Sequence, residues 1–362
     1  MHKTAKSSKL QRSNSSLQLG KKERCHVGVD VHKQTYHVAV WSEERGLVAT
    51  WVQPANAALL VEKLRPYRKQ INEIVYEAGP TGFSLARILR EAGFSAEVIA
   101  PSKMLVQPGP EAKSDRLDCR RLAMFSAKKL LRPVRVPTKQ EEADRQVIRL
   151  REQFVRKSRS VQQQIKSFLL QHGIADPVGM KTWSVAAIIA LRGLDLCREL
   201  RFCLDVLLDE YKHVKAELTR INKEVKQLAR SERHEASVNV LKTVPGVGLI
   251  TTMTFRTELL EPERFNDSRQ VARMIGLAPH VSQSGETRRE GRLLKSGNAR
   301  LRTVLVEAAW RWVASDLSAA KRYHRLVANT GNGKKAIVGM ARRLGILLWR
   351  LSVRQEPYKE GT

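Results

Sequence analysis

The chain has 362 residues, of which 65 are Lys or Arg and 36 are Asp or Glu, giving a formal net charge of +29. This length allows two or three domains with a sizeable core. The excess of positive charge favours a polyanionic partner, and nucleic acid fits better than a membrane surface, because the sequence has no apolar run of about eighteen residues and no basic amphipathic anchor.

The first 24 residues are basic and rich in serine, which predicts a disordered basic tail. They lack the apolar segment of a secretory signal. Cys25, Cys119, Cys197 and Cys203 form no C-x-x-C pair, which argues against a zinc site or a disulfide framework. We therefore expect a reducing, cytoplasmic location.

Residues 25–135 alternate between strand and helix patterns. Alternating apolar residues in CHVGVDVHKQTYHVAVW and LVATWVQ, on either side of SEERG, predict a β-hairpin. Two later strand patterns, NEIVYEAGP and SAEVIAP, alternate with the helical patterns ANAALLVEKLRPYRKQ, TGFSLARILREAGF and KSDRLDCRRLAMFSAKKLL. The order strand–strand–helix–strand–helix–strand–helix predicts an α/β domain with a mixed sheet.

Residues 136–235 are dominated by two long polar helices, with a small helical insertion near 175–200 between them. The second helix is expected at roughly 197–232. The first has an apolar stripe, predicted to comprise Val147, Leu150, Phe154, Val161, Ile165 and Leu169. Two such helices predict an antiparallel coiled-coil arm, which serves either as a spacer or as a contact for a partner or nucleic acid.

Residues 236–355 are predicted to be mainly helical. The segment TVPGVGLIT has the pattern of a helix-hairpin-helix turn, in which Gly246 and Gly248 let phosphate approach the backbone at a helix start. An ordinary Pro-Gly connection between helices is the alternative. Further along lies a group of cations suited to phosphate oxygens: Arg288, Arg289, Arg292, Lys295, Arg300 and Arg302.

Three serines, Ser282, Ser284 and Ser296, lie among these cations. A serine hydroxyl becomes a good nucleophile only when a base or a metal ion activates it. From the residues alone, ordinary loop serines remain the simpler interpretation.

Four carboxylates are candidates for one metal site. Asp30 lies within an apolar strand, where burial of an unpaired carboxylate costs on the order of several kcal/mol. Glu77 ends a later strand, and Asp115 and Asp118 share one face at the start of a helix. Such carboxylates at one edge of a sheet suit Mg²⁺ or Mn²⁺, and a pair of these ions can flank a scissile phosphate.

Each of these acids also has a structural explanation. An Asp at a helix start can cap the helix, and Glu77 can belong to a turn. Asp30 can form an ion pair with His32 or Lys33. The alternative placement for His32 and Lys33 is beside a bound phosphate.

The order and spacing of GVDVHK, VYEAGPTG and PSKMLVQPGPEAKSDRLDCRRLA resemble the RuvC-like domain of DEDD-type insertion-sequence transposases. These form the IS-one-ten group, which includes the Piv-type DNA invertases. The resemblance implies a ribonuclease-H-like fold and metal-dependent cutting of DNA, in which Asp30, Glu77, Asp115 and Asp118 bind Mg²⁺ or Mn²⁺.

The motifs VPGVG, GLAP, QSG and KSGNARLR resemble the C-terminal transposase domain of the same family. The resemblance implies a serine that links covalently to DNA. Ser284 in QSG is the best match and Ser296 in KSGN is the second. The family also implies a structured noncoding guide RNA, and the joining of two DNA molecules implies a homodimer or homotetramer.

Together these observations predict an α/β plus α protein that acts as a DNA transposase or site-specific recombinase at the bacterial nucleoid. Its parts are a basic tail (1–24), a RuvC-like mixed-sheet domain (25–135), a coiled-coil arm (136–235) and a mainly helical C-terminal domain (236–355). Two other functions remain open, a metal-dependent junction nuclease without a covalent intermediate and a non-enzymatic nucleic-acid-binding protein.

Overall fold

The computed structural model describes residues 17–100, 115–284, 287–293 and 297–360. Residues 1–16 of the predicted basic tail lie outside the described part. The prediction of disorder is wrong for the rest, because Leu17 is buried in the core of the first unit and the buried Glu23 forms an ion pair with Arg45. The chain divides into two compact units, one ending at Pro137 and the other beginning at Thr138. Within the described residues, no helix is both long and apolar enough to cross a membrane.

The first unit is built on a six-stranded mixed sheet with the strand order β3-β2-β1-β4-β5-β6. The strands are β1 (Cys25–Val31), β2 (Thr35–Ser42), β3 (Gly46–Pro54), β4 (Ile71–Glu77), β5 (Ala96–Ile99) and β6 (Pro133–Val134). The first three strands are antiparallel, and β1, β4 and β5 run parallel to one another. This arrangement confirms the predicted mixed sheet and is consistent with a ribonuclease-H-like fold.

The sheet has one more strand at its start than we predicted. The run CHVGVDVHKQTYHVAVW forms both β1 and β2, because the chain turns at residues 32–34, where the His32 amide donates a hydrogen bond to the Thr35 carbonyl oxygen. Apolar alternation continues across this short turn, so a period of two does not reveal the break.

Helices cover both faces of this sheet. They are α1 (Ala57–Leu64), α2 (Ser84–Glu91) and α3 (Asp115–Ala127). The face that carries Val27 and Val29 packs in one core with residues of α1 and α2. On the opposite face lies α3, whose Leu122 is buried against Val75 of β4. The two faces of β1 therefore have different partners.

The second unit is mainly helical, as predicted. Its elements are α4 (Lys139–Gln171), α5 (Val185–Arg192), α6 (Arg198–Ala229), α7 (Glu232–Leu241), α8 (Leu249–Leu259), α9 (Ser268–Met274), β7 (Pro279–Ser284), β8 (Thr287–Leu293), α10 (Ala299–Ser315), α11 (Leu317–Thr330) and α12 (Gly333–Arg354). A capping box fixes the start of α4, because Thr138 and Glu141 exchange side-chain-to-backbone hydrogen bonds.

The two long helices, α4 and α6, pack against each other in opposite directions. Leu169 near the end of α4 shares a buried cluster with Leu204 near the start of α6, whereas Ile148 shares one with Leu228. The predicted apolar stripe is partly wrong, because the α4 side chain buried at this level is Ile148 and Leu150 is 37% exposed. Two residues correspond to about 200° around a helix, so the two side chains point to opposite sides.

The second unit also contains a β-hairpin that we did not predict. Strands β7 and β8 pair antiparallel, with Gln283 opposite Arg288 and Ser284 opposite Thr287. The segment TRREGRL is too charged to give an apolar strand pattern. A strand of a two-stranded antiparallel ribbon can face water instead of a core, so its sequence can be polar.

Candidate functional site

Gly28 lets α3 lie directly on the sheet. A Cβ atom at this position would lie 2.0 Å from the carbonyl oxygen of Cys119 and 2.6 Å from the amide nitrogen of Ala123. Since both atoms belong to the α3 backbone, no side chain fits between β1 and α3 at this point. A glycine inside a strand often marks such a close backbone approach.

The contacts of β1 show how α3 is aligned. His26 lies against Ser126 near the end of α3, and Gly28 lies against Ala123, one turn earlier. Residue numbers rise along β1 while those of the contacted α3 residues fall, so the two elements run in opposite directions. A step of two strand residues, about 6.6 Å, corresponds to about four residues of α3. The next inward-facing residue of β1, Asp30, therefore lies at the level of Asp118, near the start of α3.

Electrostatics agree with this alignment. The pKa of the Cys119 thiol is raised to about 11, chiefly because the thiol is buried, and the negative charge of Asp30 adds to the shift. Asp118 is the sequence neighbour of Cys119 and is partly exposed. The carboxylate of Asp30 thus lies close to the first turns of α3.

Glu77 lies at the same edge of the sheet. The parallel pairing of β1 with β4 runs from Cys25 opposite Ile71 to Val29 opposite Tyr76, and the next residues along the two strands are Asp30 and Glu77. Glu77 follows Val75 by two residues, and Val75 packs against α3. Side chains two apart on a strand share a face, so Glu77 and Asp30 both face the α3 side.

Carboxylate oxygens are the donors that Mg²⁺ and Mn²⁺ prefer, so Asp30, Glu77 and Asp118 fit such an ion in kind. They do not form a closed coordination site, because among the described residues no three His, Cys, Asp or Glu side chains are close enough to hold a metal ion. For Asp115 the structure describes the backbone, as the first residue of α3, and its side chain lies outside the described part.

His32 contacts Asp30, since its Nε2 lies 3.1 Å from Oδ2 of the carboxylate. The Asp30 carboxylate is 18% exposed and the His32 side chain is 44% exposed. The structure therefore contains the pair of His32 and Asp30 that the sequence offered as one of two alternatives. The imidazole can orient Asp30 and, when protonated, balance part of its charge.

A polar network fixes the other end of α3. The Ser126 hydroxyl donates a hydrogen bond to Glu73 of β4 and lies 2.8 Å from Nδ1 of His26. Nε2 of His26 lies 3.0 Å from Oε1 of Glu43, and this hydrogen bond holds the pKa of Glu43 below its usual value. Since β1 and β4 both hold Ser126, the helix cannot slide along the sheet without breaking these contacts.

In the second unit, the two candidate serines have different settings. Ser284 is the last residue of β7, where only residues 285 and 286 separate it from Thr287 of β8. Arg288 and Arg289 follow on β8, opposite Gln283 and Ser282. The side chains of this hairpin segment lie outside the described part, as does that of Arg292. Ser296 and Lys295 lie wholly outside the described residues.

The segment that follows Ser296 is held from several sides. Gly297 has a φ of +105°, and a Cβ atom there would lie 2.5 Å from the Arg273 carbonyl oxygen. Asn298 caps α10 and donates a hydrogen bond of 2.8 Å to the Glu258 carboxylate. Glu258 is buried and forms a bidentate pair with Arg149 of α4. No local sequence signal reveals this pair, because its members are more than a hundred residues apart.

The predicted phosphate-binding glycines differ in their surroundings. Gly246, with a φ of +79°, approaches protein rather than open solvent, because a Cβ atom would lie 2.5 Å from the Trp312 amide nitrogen of α10. Gly248 precedes α8 and has no atom within 4 Å of the place where a Cβ would stand. Open space at a helix start is what an approaching phosphate needs, so only Gly248 keeps that feature.

Two of the predicted phosphate-binding arginines contact protein. Nε of Arg300 lies 2.6 Å from a carboxylate oxygen of Glu152, and Arg302 donates to the Gly276 carbonyl oxygen at 3.3 Å. Both Arg300 and Glu152 are more than a third exposed, so water screens this ion pair.

Two models of transposase families match this chain. The model of a transposase family, the DEDD transposases of the IS110 type, matches residues 27–174, and that of the transposase IS116/IS110/IS902 family matches residues 238–325. A protein of Sinorhizobium fredii named as a candidate transposase, y4qE, is 31% identical over 83% of this chain and 75% of its own length.

Two further relatives are transposases of named insertion sequences. The transposase for IS1533 of Leptospira borgpetersenii is 26% identical over 80% of this chain and 86% of its own length. The transposase for IS1111A of Coxiella burnetii is 23% identical over 92% of this chain and 91% of its own length. The chain belongs to the IS110/IS116 family of DEDD insertion-sequence transposases.

Proposed function

We propose that this transposase cuts and rejoins DNA at the acidic edge of its sheet, where Asp30, Glu77, Asp115 and Asp118 bind Mg²⁺ or Mn²⁺. The observation that carries the proposal is the alignment of α3, which brings the start of that helix to the ends of β1 and β4. Bound divalent ions would stabilise negative charge on the attacking and leaving oxygens of a phosphodiester.

The residues around the metal ligands have separate roles in this proposal. Gly28 sets the separation between β1 and α3, and Ser126 fixes the position of α3 along the sheet. His32 positions the Asp30 carboxylate. Rotation of the carboxylates toward bound ions would complete the site.

Ser284 is our proposed nucleophile, and Ser296 is the alternative. The serine oxygen attacks the phosphorus atom, a phosphoserine bond forms, and the bond from phosphorus to one sugar oxygen breaks. The serine hydroxyl loses its proton and the leaving sugar oxygen gains one. The phosphoserine bond keeps the energy of the broken phosphodiester for rejoining. Support comes from the place of Ser284 at the tip of a hairpin that also carries Arg288 and Arg289.

Covalent trapping tests this reaction. Incubation with DNA from the ends of the element and Mg²⁺ should give a protein–DNA adduct that survives denaturation, and mass spectrometry of the linked peptide should identify the serine. Ser284→Ala should abolish the adduct and Ser296→Ala should leave it. The reverse result would assign the role to Ser296, and an adduct retained by both variants would exclude the serine mechanism.

The same experiment separates the two other functions. Nicked DNA without an adduct would support a metal-dependent junction nuclease. Retarded DNA with neither nicks nor an adduct would support a binding protein whose acidic cluster is structural.

We also propose that a structured noncoding RNA guides the protein, and that it acts at the nucleoid. The net charge of +29 supports binding of a second nucleic acid through its backbone and shape. RNA that co-purifies and is required for recombination would bear this out. Full recombination by protein freed of RNA would contradict it.

A homodimer or homotetramer is the proposed assembly, because joining two DNA molecules requires at least two active sites. Large apolar side chains are exposed around the end of the α4–α6 pair near α5, and they support a contact there: Leu170, Val178, Val185, Ile189 and Phe202. Light scattering on the DNA complex should give two or four protomers. A single protomer would refute the assembly, and Phe202→Asp should weaken it.

A further inference from the structure

A basic cleft opens in the second unit, away from the predicted phosphate-binding residues. It has a volume of about 670 Å³ and lies between α11, α12 and the tail of residues 355–360. Trp312 and Leu351 form apolar parts of its lining. We call it the arginine cleft.

Three arginines of α12, Arg343, Arg350 and Arg354, line the cleft and define its charge. Arg350 and Arg354 follow Arg343 by seven and eleven residues. The three side chains therefore lie within about 40° of one another around the helix and are spread over about 16 Å along it. We call this row the arginine stripe. Such a row follows an extended ligand better than three groups that converge on one point.

The other walls add to the positive charge. Arg322 of α11 and Lys359 of the tail also line the cleft, and Glu356 is the acidic residue among the lining residues. Five cations thus face one carboxylate. A concave surface of one charge sign concentrates its field and attracts ions of the opposite sign.

Within the part of the chain that the structure describes, the arginine stripe forms no hydrogen bond or ion pair with the protein. Other arginines of the same unit do have such partners, as in the pairs Arg149–Glu258 and Arg233–Asp144. The fold therefore does not use the stripe to hold itself together. An external anion can supply the missing partners.

The cleft is also preformed. The tail that makes one wall is held by Tyr358, whose hydroxyl donates to Asp316 at 2.7 Å and whose amide donates to the Thr243 hydroxyl oxygen at 2.8 Å. On the α12 side, the indole of Trp349 donates to the Pro262 carbonyl oxygen at 2.8 Å. A wall fixed in this way needs little reordering when a ligand binds.

We propose that the arginine cleft binds the phosphodiester backbone of nucleic acid, a role that rests on the proposed DNA-directed function. Guanidinium groups match phosphate oxygens in geometry and charge. Trp312 is only 2% exposed, so it offers no face on which a base can stack. Binding is therefore independent of sequence and positions the nucleic acid instead of selecting it.

The test is the salt dependence of binding by the full chain. The triple variant R343Q/R350Q/R354Q is compared with R65Q/R159Q/R198Q. This control removes three exposed arginines outside the cleft, so both variants lose the same amount of positive charge. Each lost phosphate contact should lower the slope of log affinity against log salt by about 0.9 on duplex DNA. Loss of three contacts should make the fall in affinity between 50 and 200 mM salt about 40-fold smaller.

Duplex DNA, single-stranded DNA and RNA of equal length form the arms of the experiment and identify which backbone the cleft holds. A second variant, Glu356→Gln, removes the carboxylate and should tighten binding to that same nucleic acid. The proposal would be overturned if R343Q/R350Q/R354Q kept the wild-type salt slope on all three nucleic acids. It would also be overturned if both triple variants lost the same amount of slope, or if Glu356→Gln weakened binding.

These binding measurements need no strand cutting, so they remain valid with the Asp30→Asn protein. Loss of cutting with normal cleft-dependent binding would count against the catalytic proposal alone. Normal cutting, together with binding that R343Q/R350Q/R354Q leaves unchanged, would count against the cleft alone.

Discussion

The substitution Gly28→Ala tests how closely α3 lies on the sheet. The new methyl group would stand 2.0 Å from a backbone oxygen of α3 and 2.6 Å from a backbone nitrogen. Neither atom can rotate away, so α3 must move by about 1 Å or more to restore contact distances near 3.5 Å. Overpacking of this kind costs about 1–3 kcal/mol, and two backbone clashes place this site near the upper value.

A loss of about 3 kcal/mol should lower the melting temperature of the first unit by about 6–12 °C. Thermal unfolding measures this shift, and maleimide labelling followed by peptide mass spectrometry reports whether the buried Cys119 becomes accessible. The control is Gly20→Ala in the same unit, where a Cβ would have ordinary contacts of 3.6 Å. An unchanged melting temperature with Cys119 still protected would refute the close packing.

The remaining predictions concern buried acids of the second unit. Burial alone would raise the pKa of Asp144, but hydrogen bonds led by that from Arg233 outweigh it and lower the pKa from 3.8 to about 2. Because the folded pKa is the lower one, this stabilisation of about 2 kcal/mol is present above pH 4 and is lost as the pH falls toward 2. Urea titrations should show that loss in the wild type and not in Asp144→Asn. Glu258→Gln leaves Arg149, which is about a third exposed, without its carboxylate partner. The free energy of unfolding in the same assay should fall by about 2–3 kcal/mol. Unchanged stability would show that the pair is dispensable.

The mixed sheet and the helical second unit could be predicted because their signals are local. The apolar residues in GVDV and IVYE predict buried strands, and these segments form β1 and β4. The three-residue turn before Thr35 and the charged β8 strand carry no such contrast, so neither was predicted. Propensity is weak where a strand is polar or a turn is short.

At the candidate site, the sequence predicts a set of acids, and the structure adds the contacts of the elements that carry them. Asp30 is unusual in an apolar strand, which a single sequence can reveal. The alignment of α3 depends on Gly28 and Ser126, whose partners lie about 50 to 100 residues away in the sequence. Likewise, no spacing indicated that Gly246 packs against α10 or that Arg300 pairs with Glu152. Contacts between distant segments are decided by packing, not by local pattern.

The arginine stripe is an intermediate case. The spacing of seven and eleven residues is visible in the last amphipathic helix, but cations on a helix are usually a solvated face. Only the walls supplied by α11 and the tail turn that face into a cleft.

The central claim is that Asp30 belongs to the centre that cuts DNA, and the most direct measurement is strand cutting by Asp30→Asn with Mg²⁺ and DNA from the ends of the element. The control is Asp176→Asn, the same chemical change at an exposed position elsewhere. The account predicts a loss of cutting of about 1000-fold in Asp30→Asn, because metal ions contribute several kcal/mol to such reactions, with folding and DNA binding retained. Cutting at the control rate by Asp30→Asn would contradict it.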